Sequence, residues 1–152
     1  MTGSQLKQKL LHHLQALYQY KIQNVQNEIL SMTPSRDSDM KNSAGDKHET
    51  GRAMMHIELD NHKKHLAKLL EQKNELEMID IRITEETIQF GSIAITSSGN
   101  YFFCVGIGKV AIDGADWFCV SMISPVGKAL QAKVTGDEIT FNGKKIKIEE
   151  II

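Results

Sequence analysis

Cysteine, proline, aromatic residues and excess charge are all scarce in this chain, and each scarcity excludes something. Five phenylalanines, three tyrosines and one tryptophan among 152 residues leave the core to be built mainly from aliphatic side chains. The only two cysteines, Cys104 and Cys119, lie apart in apolar, strand-like segments. They cannot form the dense disulfide framework of a small secreted domain and read as buried thiols in a reducing compartment. No histidine follows His65, so a thiol nucleophile would have to borrow its base from the first half of the chain. The net charge is -1, so no global basic field advertises nucleic-acid binding. Division after Ile79 gives 11 basic and 10 acidic residues before it, 7 and 9 after it. Any electrostatic function must therefore be local. No apolar run approaches the roughly 18 residues of a membrane span, and "MTGSQLKQKLLHHL" lacks the apolar core of a signal peptide. The expected location is the cytoplasm.

What is present falls into two halves of different period. From Ser4 to Met32, apolar residues recur with helical spacing at Leu11, Leu14, Tyr18, Ile22, Val25, Ile29 and Met32. Thr33-Pro34 is expected to end this helix, because proline disfavours the helical conformation of the residue before it. The pattern resumes as Met55, Leu59, His62, Leu66, Leu69, Lys73 and Leu76, alternating steps of four and three. Two such seams joined by a polar segment predict an antiparallel coiled-coil hairpin over residues 1–79. At 1.5 Å per residue its second helix would be roughly 50 Å long.

After Ile79 the period becomes two. "IDIRI", "TIQFGSIAIT", "YFFCVGIG", "KVAID" and "DWFCVSM" are rich in β-branched and aromatic residues. "SPVGKALQAK" predicts a short helix with Ser124 as N-cap and Pro125 at its first position. Asn142-Gly143 marks a tight hairpin turn between the last two strands. Residues 80–152 are thus expected to form a small antiparallel sheet with one helix, and the whole chain an α+β fold.

The joining stretch, Ser35 to Arg52, carries Asp37, Asp39, Asp46 and Glu49 among Arg36, Lys41, Lys47 and Arg52. A calcium loop fails there: its sixth position is Asn42 rather than glycine, and Glu49 falls one place late. Ser43 with Asp46 fits a helix cap, which explains one acid of the four. The six histidines lack the spacing and companion ligands of a zinc site and read as solvated or interfacial. Gly106-Ile107-Gly108 lacks the third glycine and following helix of a phosphate loop.

"ISPVGKALQAKVTGDEITFNGKKIKIEEI", Ile123 to Ile151, resembles the C-terminal region of the Gre family of bacterial transcription elongation factors. "FGS" at Phe90 to Ser92 resembles the Phe-Gly that opens that domain's sheet, and the order of parts matches over essentially the whole chain. The resemblance implies an FKBP-like domain that docks on RNA polymerase, with Ser124 and Pro125 at the docking surface. It also implies a hairpin that enters the polymerase's secondary channel. Acidic residues at its tip would help hold a shared Mg2+ ion beside the 3′ end of the nascent RNA. Magnesium takes few carboxylates and completes its shell with water and phosphate oxygens. On this reading the protein is no enzyme by itself, has no cofactor of its own, and is a monomer that stimulates the polymerase's own cleavage of backtracked RNA.

Two alignments of the family's acidic tip remain open. One places it on Gly45-Asp46-Lys47-His48-Glu49, making Asp46 and Glu49 the catalytic and metal-binding pair on one helical face. The other places it on Ser38 to Ala44, where Asp39 is kept and Asn42 stands in for the glutamate. In either alignment Lys41, Lys47 and Arg52 are candidates for RNA contacts at the tip. The family's Asn-Ala-Glu-Tyr is replaced by Thr50-Gly51-Arg52 after Glu49. A channel-binding regulator that does not promote cleavage is the alternative function.

Overall fold

A computed structural model describes residues 2–41 and 46–152, with the side chains at 33–41 and 46–50 outside that description. Two helices come first, α1 over Gly3–Lys41 and α2 over Asp46–Glu77. Thr2 and Gln5 start α1 with a reciprocal cap. Thr2 Oγ1 accepts the Gln5 amide at 3.1 Å, and the Thr2 amide donates to Gln5 Oε1 at 2.8 Å. The expected stop at Thr33-Pro34 is corrected, because α1 runs past it to Lys41. An interior proline removes one backbone hydrogen bond and costs about 3 kcal/mol. A 39-residue helix held by a long apolar seam can bear that loss. Of the charged stretch 35–52, α1 thus takes up residues 35–41 and α2 residues 46–52.

Both seams are the stripes that fold inward. Leu11, Leu14, Tyr18, Ile22 and Val25 are buried on α1, as are Leu59, Leu69 and Leu76 on α2. The interrupting residues His62 and Lys73 are half-buried. His62 Nδ1 lies 3.3 Å from the Glu28 carboxylate. Lys73 donates to Gln19 Oε1 at 3.0 Å, while Tyr18 donates to Gln72 at 3.1 Å. From the Glu28–His62 pair to the Tyr18–Gln72 and Gln19–Lys73 pairs the chain steps back along α1 and forward along α2, so the helices run antiparallel.

The remaining elements are β1 Ile93–Thr96, β2 Gly99–Phe103, β3 Gly108–Ile112, β4 Ala115–Val120, α3 Pro125–Leu130, β5 Glu138–Phe141 and β6 Lys144–Ile151. They form one six-stranded sheet in the order β3-β4-β2-β1-β6-β5. The expected all-antiparallel sheet is corrected to a mixed one, since β2 and β4 pair in parallel. The cause is the β3–β4 hairpin, turned by Asp113 and Gly114 at φ 50° and 78°. Folding back, it inserts β4 rather than β3 beside β2. "IDIRI" is also corrected, from strand to turn. Asp80 takes the Arg82 amide at 2.9 Å and its guanidinium at 2.9 and 2.8 Å, which bends the chain where alternation predicted extension. Asn142-Gly143 does form its hairpin, with φ 50° and 79° and Phe141 paired to Lys144.

One sheet face packs Ala94, Phe103, Ile146 and Ile148 with Ile88 and Leu130 into a core cluster. Contacts within the molecule define two compact units, residues 1–14 with 74–152, and residues 15–73. Among the described residues no helix is long and apolar enough to cross a membrane.

Candidate functional site

The acidic candidates flank the 42–45 segment. Asp39 lies in the last turn of α1; Asp46 opens α2, and Glu49 follows within its first turn. The side chains of Asp39, Asp46, Glu49, Lys41 and Lys47 lie outside the described residues, as does the whole of Ser43. Arg52 is half-buried on α2. Asp46 and Glu49 thus stand three residues apart on one helix. Asp39 belongs to the other helix. Among the described residues no cluster of three or more His, Cys, Asp or Glu could hold a metal ion.

Ser124 caps α3 as its sequence predicts. Its hydroxyl accepts the Gly127 amide at 3.1 Å and donates to the Ser121 carbonyl at 2.6 Å. That hydroxyl is therefore committed within the fold, and the free surface there comes from Pro125 and from Ile123, which is 81% exposed. Beside this corner, Thr87, Gln89, Phe90, Met122 and Gln131 line a recess of about 380 Å³. An exposed apolar rim over a shallow recess suits docking to another macromolecule better than enclosing a small substrate.

Two features escaped the sequence. Lys7 is buried, and its ammonium donates to the Ile83 carbonyl at 2.7 Å. Burial pulls its pKa below the ordinary lysine value, against the opposing fields of Glu85 and Asp80. Extending the α1 seam back four places from Leu11 lands on Lys7, so the periodicity carried that signal. The second feature is the meeting of Cys104 and Cys119. Both are buried free thiols, as their segments suggested, and the Cys104 sulfur lies 3.7 and 3.8 Å from the Phe102 and Val105 carbonyl oxygens. The neighbouring Cys104 holds the Cys119 thiol down, while Cys119 and burial push Cys104 up. Only the parallel β2–β4 pairing brings them together, which neither segment reveals alone.

A comparison with known family models finds no match, and neither does one with curated proteins.

Proposed function

We propose that this protein is a Gre-like accessory factor of bacterial RNA polymerase. Its second half, an FKBP-like domain, docks on the enzyme. Its coiled-coil hairpin enters the secondary channel, where the tip stimulates cleavage of backtracked RNA. The observation that carries this reading is the order of parts along one chain. Two long antiparallel helices turn through a charged segment and are followed by a small sheet whose Ile123 to Ile151 region resembles that family. A thin two-helix arm buries little core of its own, and such an arm is built to reach.

At the tip, Asp46 and Glu49 supply oxygen ligands to a magnesium ion shared with the polymerase and help orient the attacking water. Lys41, Lys47 and Arg52 offset the acids, so that the tip does not repel the RNA phosphates. Two-metal chemistry needs only part of its ligand set from the factor. The protein therefore contributes to a site without being an enzyme, and it carries no cofactor of its own.

Purified bacterial polymerase, stalled in backtracked complexes with Mg2+, tests the reading by transcript shortening with and without the protein. Shortening is expected, and Asp46→Asn with Glu49→Gln is expected to abolish most of it while leaving polymerase binding intact. Shortening that survives this pair but not Asp39→Asn assigns the tip to the other alignment. Binding without shortening assigns the protein to the regulatory reading, which the loss of the family's Asn-Ala-Glu-Tyr favours. Neither binding nor shortening sinks the proposal.

A further inference from the structure

β2 and β4 pair in parallel with Phe102 opposite Cys119 and Phe103 opposite Val120. The Cys104 amide continues the ladder by donating to the Val120 carbonyl at 2.9 Å. Cys104 and Cys119 are therefore diagonal neighbours, two positions out of register and on the same face as Phe102. That face is opposite the Phe103 core cluster. The thiols are 3% and 1% exposed.

Three facts restrict what such a pair can do. Diagonal Cα atoms in a strand pair stand about 7–8 Å apart, beyond the roughly 4.4–6.8 Å of an unstrained disulfide. Direct S–S bonding would thus require the ladder to move. Metal–thiolate bonds of about 2.3 Å let one ion bridge sulfurs up to roughly 4.6 Å apart without such movement. Finally, no third His, Cys, Asp or Glu completes a cluster there among the described residues, which disfavours four-coordinate zinc.

We propose that Cys104 and Cys119 form a buried two-sulfur site for a soft, two-coordinate monovalent cation of the Cu(I) class. Soft thiolates select such ions over hard ones. Binding makes two S–Cu bonds, releases both thiol protons to solvent, and leaves copper in its original oxidation state. Across β3, Cys119 is paired with Gly108, and nothing lies within 4 Å of where a Cβ on that glycine would stand. This side offers a small ion its shortest approach.

The test uses the reduced full-length protein under anaerobic conditions, with Cu(I) supplied as its bicinchoninate complex. Withdrawal of one Cu(I) per chain is expected, with native mass spectrometry showing one copper gained and two protons lost. Cys104→Ser and Cys119→Ser should each bind at least tenfold more weakly. Cys104→Ala and Cys119→Ala repeat the comparison without a buried hydroxyl, and circular dichroism confirms which variants are folded. No uptake by the wild-type chain overturns the proposal, and so does equal uptake by folded variants. Rapid formation of a Cys104–Cys119 disulfide by peroxide in the folded protein also overturns it, by showing that the sulfurs close without a bridging ion.

Discussion

Gly127 shows how little freedom single positions have at the α3 corner. A Cβ built there would stand 2.1 Å from the Ser121 carbonyl oxygen, the same atom that receives the Ser124 hydroxyl. Gly127→Ala must therefore displace the helix or break the cap. A loss of about 1–3 kcal/mol is expected, as for other overpacked sites, read from the urea midpoint; an unchanged midpoint would show that the corner yields freely. Asp80 makes a different prediction. The Arg82 guanidinium, helped by the Arg82 amide, holds its carboxyl down to about 2. The turn's contribution is thus complete above the ordinary carboxylate range and fades as pH falls toward that value. An NMR titration of the Asp80 carboxyl should show a midpoint near 2, whereas one near the ordinary value of about 3.9 would deny the pair. The Ser124 cap was legible in the sequence because its partners lie within three residues. The Asp80 turn was not, because a polar residue between isoleucines fits strand alternation until the Arg82 contacts are known.

Helices and strands were legible in proportion to how local their causes are. The two seams and the Asn142-Gly143 hairpin follow from spacing and turn chemistry alone. The parallel β2–β4 pairing does not, since it depends on which strand of a hairpin inserts beside a third. Pro34 marks the opposite failure, where a strong local preference is overridden by the helix around it. Removing that conflict gives a direct measurement. Pro34→Ala should stabilise the distal part of α1 by up to about 3 kcal/mol. Slower amide exchange over residues 30–41 would report it, and unchanged exchange there would show that the proline imposes no penalty.

At the scale of the molecule, the change of period near Ile79 locates the boundary between helix and sheet, but compactness divides the chain elsewhere. Residues 1–14 and 74–79 belong with the sheet, and Leu10, Leu14, Leu76 and Ile79 among them are buried. At about 1.5–3 kcal/mol for each fully buried aliphatic side chain, their removal rivals the stability of a small domain. A fragment of residues 80–152 should therefore lose much of the cooperative thermal transition of the full chain. A fragment that melts like the intact protein would show that the sheet needs no help from the helices. The charged stretch over residues 35–52 was legible only as a composition, because charges alone do not reveal which of them would share a ligand.

The antiparallel pairing of α1 and α2 also restricts how the arm can change in length. Glu28 meets His62, while Tyr18 and Gln19, two to three turns earlier on α1, meet Gln72 and Lys73 about as far on along α2. An insertion in one helix alone would rotate every later residue out of the seam. Seven residues added to both, at matching depth, would keep it and lengthen the helical pair by about 10 Å. The helical pair is in this sense a ruler graduated in whole heptads, and its length can be reset only one paired graduation at a time.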